Sequence, residues 1–195
     1  MYTDGKAHKL FVQVQQLCEH FQLHSAPEKS TIISAEKQLD YLIFLNTGLA
    51  GMQTLTQEGD RIIISLFGAG SLFPLSRLLL ETPNQNDFVA LNNSTYQKIP
   101  ISVCKNWMQE HVFFREYVIW CLANRHQNLI KQLTAFKQND ATTKIAAILE
   151  QLSSFELLGQ DAPNTHHLSQ QDIADLAGVS RETVSRYSGQ MKSHH

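Results

Sequence analysis

The residues with the most specific spacing lie near the C-terminus, in the segment RETVSR at positions 181–186. Arg181, Glu182 and Arg186 share one short helical stretch, and the two arginines are separated by about 1.4 turns of an α-helix. Guanidinium groups donate paired hydrogen bonds to guanine O6 and N7, and a carboxylate accepts one from cytosine N4. These three side chains are therefore expected to read base edges in the major groove of double-stranded DNA.

Two helices joined by a tight turn are predicted to hold these side chains, within the segment SQQDIADLAGVSRETVSR at positions 169–186. Ser169 and Ser180 are expected to cap the two helices, and Gly178 stands in the turn, where a positive φ costs glycine little. The alternative is an ordinary helical hairpin with surface charges, which does not require this combination of caps, glycine and outward charges. Five polar residues are predicted to contact DNA phosphates: Ser169, Gln170, Gln171, Ser180 and Thr183.

The overall composition is that of an ordinary globular protein. Apolar residues make up 43% of the 195 residues, charged residues make up 17%, and the net charge is −2. Any contact with DNA must therefore come from a local positive patch. The isolated cysteines Cys18, Cys104 and Cys121 indicate a reducing compartment and have no metal-binding spacing. Neither a signal peptide nor a membrane-spanning run is recognised, so a cytoplasmic protein with no membrane partner is expected.

Short runs rich in β-branched and aromatic residues fill the chain from about Lys29 to Val103. Turn-forming residues separate the runs, and the turn Glu58-Gly59-Asp60 predicts a β-hairpin. Several short strands at this spacing indicate an antiparallel sandwich or barrel. The predicted strands have the sequences TIIS, DYLIFLN, RIIISLF, DFVALN and TYQKIP.

The pattern is helical at residues 7–22 and again from Lys105 onward, where residues 106–136 are predicted to form one long helix. A further helix is predicted at 141–158, followed by a polar linker at 159–167. The long helix carries an apolar stripe at intervals of three and four residues, which is typical of a seam between two helices. The stripe consists of Ile119, Leu122, His126, Leu129, Leu133 and Phe136. It predicts a subunit interface, and the alternative is packing against the chain's own β domain.

The segment at 169–186 resembles the DNA-binding motif of the Crp/Fnr family, whose signature reads Gly-x-Ser-Arg-Glu-Thr-Val-x-Arg. The matching residues here run from Gly178 to Arg186. The stretch from PEKSTIIS to GAGSLFPL is similar to the β-roll sensor domain of that family, including Gly48 after its second strand and Gly70 before its pocket helix. The resemblance spans nearly the whole chain.

This resemblance implies an α+β fold in three parts. An antiparallel β-roll like a cyclic-nucleotide-binding domain is expected at residues 1–104, a dimerisation helix at 105–138, and a helix-turn-helix DNA-binding domain at 139–195. A two-stranded wing follows the recognition helix in the family, and because the sequence ends at His195, a winged helix lacking its wing is expected. The resemblance further implies a homodimeric transcriptional regulator that binds palindromic TGTGA-like half-sites and contacts RNA polymerase.

The predicted effector pocket departs from the cyclic-nucleotide site of the family. By resemblance, a Gly-Glu pair and an Arg-Ser/Thr pair hold the ribose and the phosphate, but Pro74-Leu75 and, approximately, Asn84-Gln85 stand at those positions. A phosphate without its guanidinium loses a charge-assisted contact, so cyclic AMP is not expected to bind, although Arg77 lies nearby. The predicted pocket consists of Gly70, Leu72, Phe73, Pro74, Leu75, Arg77, Asn84 and Gln85.

The leading hypothesis is a sequence-specific DNA-binding regulator whose effector is not cyclic AMP, or which has none. The alternative is a dimeric sensor or interaction protein whose truncated DNA-binding domain is inactive. An enzyme is not expected, because no nucleophile–base arrangement is present. No cofactor is expected either, since the cysteines are too few near the N-terminus for an iron–sulfur cluster. Haem would need axial ligands, for which Cys104, His111 and His126 are the candidates.

Overall fold

Two four-stranded antiparallel sheets face each other in the N-terminal half of the computed structural model of this chain. The strand orders are β1-β8-β3-β6 and β2-β7-β4-β5. The structure describes residues 4–35, 39–55, 61–138, 140–156 and 168–192. The strands are β1 (Leu23–Ala26), β2 (Thr31–Ile33), β3 (Tyr41–Thr47), β4 (Leu49–Leu55), β5 (Arg61–Gly68), β6 (Leu72–Phe73), β7 (Asp87–Ala90) and β8 (Ser94–Pro100).

Strand β3 is covered on both faces, which explains its unbroken apolar sequence. Ile43 and Leu45 lie between the two sheets, whereas Leu42 and Phe44 pack beneath helices on the outer face. Successive side chains of a strand point to opposite faces, so a strand buried on both sides needs no polar residue in its middle. This strand therefore links the core between the sheets to a second core under the helices.

Seven helices are present in the described part of the chain, and together with the antiparallel sheets they confirm the predicted α+β class. Asp140 caps the fifth, as its carboxylate accepts a hydrogen bond from the Thr143 backbone N–H at 2.8 Å. The helices are α1 (Asp4–Cys18), α2 (Leu75–Leu79), α3 (Ile101–Glu110), α4 (Val112–Lys137), α5 (Ala141–Glu156), α6 (Gln170–Ala177) and α7 (Arg181–Lys192). The predicted Glu58-Gly59-Asp60 turn and the predicted 159–167 linker lie outside the described residues.

The prediction of one uninterrupted helix at 106–136 was wrong. The chain forms two helices, α3 and α4, because His111 adopts an extended conformation with φ −113° and ψ 110°. Arg115 stabilises the break by donating hydrogen bonds from Nη1 to the carbonyls of Met108, at 2.7 Å, and Gln109, at 3.1 Å. These carbonyls belong to the last turn of α3 and have no partner in their own helix.

Three apolar clusters hold the chain together. The first packs α1, α3 and the first half of α4 on the outer face of the sheet that contains β3, and the second fills the space between the two sheets. The third, which we name the sensor–helix cluster, joins the outer face of the other sheet to α5, α6 and α7. Its buried members are Leu49, Ile63, Leu66, Val89, Leu91, Ile145, Ile148, Phe155, Ala174, Leu176, Ala177 and Val184.

Gly68, at the end of β5, lies directly against Phe155 of the sensor–helix cluster. A Cβ atom added at Gly68 would lie 2.6 Å from the Cβ atom of Phe155, which is closer than real carbon atoms approach. The phenyl group is attached at that Cβ, so it cannot move away without a shift of helix α5. Glycine is therefore required at position 68 by the packing of α5 rather than by the conformation of the strand.

Replacing Gly68 by Ala is expected to destabilise the protein by about 1–3 kcal/mol, because it overpacks this contact. Phe155→Ala alone leaves a cavity, but it also removes Cγ and Cδ1, two of the three atoms that the new methyl group would meet, while Cβ stays in place. The double variant Gly68→Ala/Phe155→Ala should therefore lose less stability than the sum of the single variants. Urea unfolding followed by circular dichroism measures the free energy of unfolding of the two single variants and of the double variant.

Gly189→Ala provides the matched control, since a Cβ atom there meets nothing within 4 Å and the residue is exposed on α7. That substitution is expected to leave stability unchanged or to raise it by up to about 1 kcal/mol. If Gly68→Ala and Gly189→Ala change the free energy of unfolding equally, the conclusion that packing against α5 requires glycine at position 68 is contradicted.

Candidate nucleic-acid interface and effector cavity

A reciprocal pair of hydrogen bonds begins helix α6. The Asp172 backbone N–H donates to Ser169 Oγ at 3.1 Å, and the Ser169 backbone N–H donates to Asp172 Oδ2 at 3.0 Å. Two of the four N–H groups that a helix start leaves unpaired are satisfied in this way. The capping residue predicted from the sequence is therefore confirmed, with Asp172 as its partner.

A left-handed glycine turns the chain from α6 into α7. Gly178 has φ 59° and ψ 43°, and the next N–H, of Val179, donates to the carbonyl of Ala174 at 3.0 Å. Ser180 caps α7, because its Oγ accepts a hydrogen bond from the Thr183 backbone N–H at 3.3 Å. Val184 is buried one turn later and fixes the rotation of α7 about its axis. The predicted helix–turn–helix is confirmed in each of these features.

The three predicted base-reading side chains lie on the solvent face of α7. Arg181, Glu182 and Arg186 are all exposed. None of the three forms an ion pair with another residue in the described ranges of the chain. Glu182 and Arg186 are spaced by four residues, so both sit on one side of the helix. The arrangement leaves two guanidinium groups and one carboxylate available to an external partner.

A cavity of about 650 Å³ lies between α2, the segment that follows α2, and helix α4. Its wall is mainly apolar, and Arg125 on α4 provides a charged group. The guanidinium carbon of Arg125 lies 4.1 Å from the centre of the Phe67 ring. The lining residues are Met52, Pro74, Leu75, Ser76, Leu79, Leu80, Thr82, Pro83, Asn84, Gln85, Asn86, Phe88, Leu122 and Arg125.

Two family models match this chain in the regions that form these features. The cyclic nucleotide-binding domain matches residues 23–111, and the Crp-like helix-turn-helix domain matches residues 143–195. The chain is 27% identical over 174 residues to the cAMP-activated global transcriptional regulator CRP of Haemophilus influenzae, a match that covers 86% of this chain and 75% of that protein. The chain belongs to the Crp/Fnr family. It is a Crp-like DNA-binding transcriptional regulator.

Further relatives agree with this assignment. The CRP regulator of Pasteurella multocida is 24% identical and matches over 90% of this Crp/Fnr chain and 85% of its own length. The structure of FixK2 from Bradyrhizobium japonicum superposes with a TM-score of 0.72 at 18% identity, covering 89% of this chain and 85% of that one. The c-di-GMP-responsive regulator CLP of Xanthomonas campestris superposes with a TM-score of 0.70 at 15% identity, covering 94% and 92%. At these identities the structural likeness shows the fold alone.

The predicted pocket residues of this Crp/Fnr chain are only partly brought together. Pro74, Leu75, Asn84 and Gln85 line the 650 Å³ cavity. Gly70 and Leu72 instead line a separate cavity of about 30 Å³, which Arg125 of α4 also lines. Phe73 and Arg77 line neither of these two cavities, and Phe73 belongs to the core between the sheets.

Two polar residues near the cavity already serve the chain itself. Arg77 donates to the carbonyls of Leu39, at 2.9 Å, and of Glu81, at 2.7 Å. Asn84 is buried and donates from Nδ2 to the carbonyls of Asn86, at 2.7 Å, and Ser34, at 3.2 Å. Both side chains therefore fix the segment after α2, and their main donors are engaged.

The residues that sequence reasoning missed come mostly from outside the predicted pocket helix. Met52 and Phe88 reach the cavity from β4 and β7, and Leu122 and Arg125 reach it from α4. Leu122 is also a member of the predicted helix seam, and Arg125 directly precedes His126, another member of that seam. No local pattern distinguishes Arg125 from the other cations of the helix, because its role depends on which sheet α4 packs against.

The predicted phosphate contacts fall into two groups. Ser169, Gln170, Gln171 and Ser180 are exposed, whereas Thr183 is half-buried and its hydroxyl is 2.9 Å from Ser180 Oγ. Gln171 donates from Nε2 to Asp175 Oδ1 at 2.8 Å. The roles of all five toward DNA stay predictions. Four of them, Ser169, Gln171, Ser180 and Thr183, also form hydrogen bonds within the motif.

The apolar stripe of α4 is open to solvent in the single chain. Its members Ile119 and Leu133 are 58% and 62% exposed, and Leu122, Leu129 and Phe136 are each 40% exposed. His126 is exposed in the same row. Packing against the chain's own β domain, the alternative interpretation, does not cover these side chains. Their role as a dimer seam stays a prediction.

The three cysteines are buried as free thiols. Burial raises the pKa of Cys104 and of Cys121 to about 12, and it also raises the pKa of Cys18. Thiols of this kind stay protonated at neutral pH, and the thiolate is the reactive and metal-binding form. These residues are therefore part of the apolar core in the folded protein, where all three belong to the cluster under α1 and α4.

Substituting Ser169 by Ala is expected to destabilise the protein by about 1 kcal/mol, because the N–H of Asp172 loses its acceptor at the start of α6. Ser185→Ala is the matched control, since Ser185 is exposed in the middle of α7 and caps no helix. Denaturant midpoints of the two variants give the comparison. Ser169→Ala behaving like Ser185→Ala would show that the capping pair adds no stability.

Proposed function

We propose that this chain is a homodimeric transcriptional regulator that binds palindromic double-stranded DNA with TGTGA-like half-sites. The observation that supports this best is the solvent face of α7, where Arg181, Glu182 and Arg186 are exposed and unpaired within the described residues. Side chains near the start of such a helix meet base edges when the helix enters the major groove. Paired guanidinium donors suit the guanines of the half-site, and the carboxylate suits a cytosine.

The dimer is supported by the exposed stripe on α4. Apolar side chains at intervals of three and four residues along one helix are unfavourable in water, and a second copy of the same stripe would cover them. A two-fold dimer would also place two copies of α7 on one face of DNA, one helical turn apart. The seam would extend from Ile119 to Phe136, along most of α4.

The effector is proposed to be something other than a cyclic nucleotide. Two relatives are named as cAMP-activated regulators, but Pro74 and Leu75 stand here where the family's Gly-Glu pair is expected. Asn84 and Arg77 donate to backbone carbonyls and are not free to grip a phosphate. A phosphodiester in this cavity would therefore lack the contacts that the family's pattern implies.

Three further proposals rest on membership of the Crp/Fnr family. We infer that RNA polymerase is a partner, that the protein is not an enzyme, and that residues 1–104, 105–138 and 139–195 act as sensor, dimerisation helix and DNA-binding domain. Among the described helices, none combines the length and the apolar composition needed to span a bilayer. Regulators of this family bind double-stranded DNA and typically form dimers, which is consistent with all three proposals.

Replacing both Leu129 and Leu133 by Glu is expected to convert the dimer to a monomer, because it places four like charges in the two-fold seam. Light scattering should give twice 22.1 kDa for the wild type and 22.1 kDa for the variant. Gln127→Glu, an exposed change on α4 outside the stripe, should remain dimeric. A wild-type mass of one chain at micromolar concentration would exclude the seam.

Arg181→Ala is expected to weaken binding to a TGTGA palindrome by about 1–3 kcal/mol and to relax the preference at one guanine of each half-site. Gel shifts at a fixed, stated salt concentration compare the palindrome with random DNA, because nonspecific binding depends strongly on salt. Lys9→Ala removes one exposed charge from α1 in the sensor region and should leave the preference unchanged.

A wild-type protein that binds the palindrome and random DNA equally would overturn the sequence-specific reader. The outcome would then favour the dimeric sensor with an inactive DNA-binding domain, provided that light scattering still shows the dimer. An intact preference in Arg181→Ala would instead show that base recognition comes from other residues.

A further inference from the structure

Helix α4 closes one side of the 650 Å³ cavity with Leu122 and Arg125, which are nearly one helical turn apart. Among the fourteen lining residues, which include no Asp, Glu or Lys, Arg125 is the one charged side chain. The remainder are apolar side chains, prolines and neutral polar groups. The volume lies within the range of small-molecule sites, about 300–1,000 Å³. The cavity therefore offers one positive charge on an otherwise neutral wall.

The guanidinium of Arg125 is held in place but not neutralised. Its guanidinium carbon lies over the Phe67 ring, 4.1 Å from the ring centre, and Phe67 in turn contacts Phe73, with ring centres 4.6 Å apart. A guanidinium carries five N–H donors in one plane. Arg125 has no ion pair and donates no hydrogen bond within the ranges of the chain that the structure describes.

The groups that surround Arg125 on its other side are neutral as well. Arg125 also lines the small 30 Å³ cavity, together with the amides of Asn124, Asn128, Gln132 and Gln151. Burial lowers the pKa of Arg125 to about 10, and the neighbouring Cys121 opposes this only in part. The side chain therefore remains protonated at neutral pH, and a partly buried cation without a counter-ion favours the binding of an anion.

We propose that this cavity binds a small organic carboxylate with an apolar body, whose carboxylate group pairs with the guanidinium of Arg125. A carboxylate matches the fork of in-plane donors in a bidentate pair. The apolar body would lie against Met52, Leu75, Phe88 and Leu122. Effector recognition would then come from the long helix rather than from the segment after α2. The inference deepens the proposed function, since it names the effector class of the same regulator.

A nucleotide fits these observations less well. The site has one cation, so a phosphate monoester would keep a negative charge without a partner. The sugar hydroxyls of a nucleotide need polar partners, and the buried amide of Asn84 is engaged by two backbone carbonyls. Unpaired polar groups lose free energy when they are taken from water, whereas an alkyl or aryl body gains it on the apolar wall.

Calorimetry on the full chain tests the assignment with octanoate and 1-naphthoate as probes, each compared with its neutral amide. Both acids are expected to saturate the wild-type protein at one site per chain, and the amides are expected to bind about 10- to 100-fold more weakly. Arg125→Gln should bind the two acids about 10- to 100-fold more weakly than the wild type does, and its affinity for the amides should change little. Lys137→Gln, which removes an exposed charge at the end of the same helix, should match the wild type.

Several outcomes would overturn the proposal. They are no saturable binding of either acid, equal binding of acids and amides, or undiminished binding of the acids to folded Arg125→Gln. Tight, Arg125-dependent binding of cyclic AMP, titrated in parallel, would assign the site to nucleotides instead. The comparison of acids with amides uses the wild-type chain alone, so it decides the question even when Arg125→Gln does not fold.

The same wild-type preparation separates this inference from the proposed function. Gel shifts that show a preference for the palindrome, together with no binding of either acid, would overturn only the carboxylate site. Acid binding without any preference for the palindrome would leave the site in place and overturn the sequence-specific reader.

Discussion

The structure depends on helix α4, whose sides face a buried core, a cavity and solvent. Helix α4 has 26 residues, and its first half buries Phe114, Tyr117 and Val118 against the sheet that contains β3. The Tyr117 hydroxyl donates to the carbonyl of Gly70, at the turn that leads into β6. The remaining sides of the helix carry the exposed apolar stripe and the cavity wall. The packing on any one side fixes how the helix is rotated about its axis. It therefore also fixes where the side chains on the remaining sides lie, because the helix is rigid.

Helix α4 contributes residues to the cavity wall, to the exposed apolar stripe and to the contact with the turn of the helix–turn–helix. Leu122 belongs both to the cavity wall and to the apolar stripe. Towards its end, α4 reaches the turn of the DNA-binding motif, where a Cβ atom on Gly178 would lie 3.3 Å from Phe136. One continuous helix therefore extends from the cavity wall at Leu122 to the turn of the helix–turn–helix at Phe136.

The sequence predicted best what is determined locally. The helix–turn–helix was predicted correctly because the caps Ser169 and Ser180 and the turn residue Gly178 interact only with residues a few positions away in the sequence. The break between α3 and α4 was missed because it is made by Arg115 reaching back to two carbonyls, with no proline or glycine at the break. Strand β4 was missed because Gly51 and a run of polar residues weaken its pattern. Arg125 was missed because its surroundings come from strands that are far away in the sequence.

The sensor–helix cluster has a consequence for how such a protein can change during evolution. The two family models cover separate stretches, 23–111 and 143–195, yet the ring of Phe155 fits where Gly68 has no side chain. A DNA-binding half taken from a relative would bring that relative's residue at position 155. That residue would then pack against a sheet whose Gly68 accommodates Phe155. An exchange of the two halves between relatives is therefore expected to require compatible residues at positions 68 and 155.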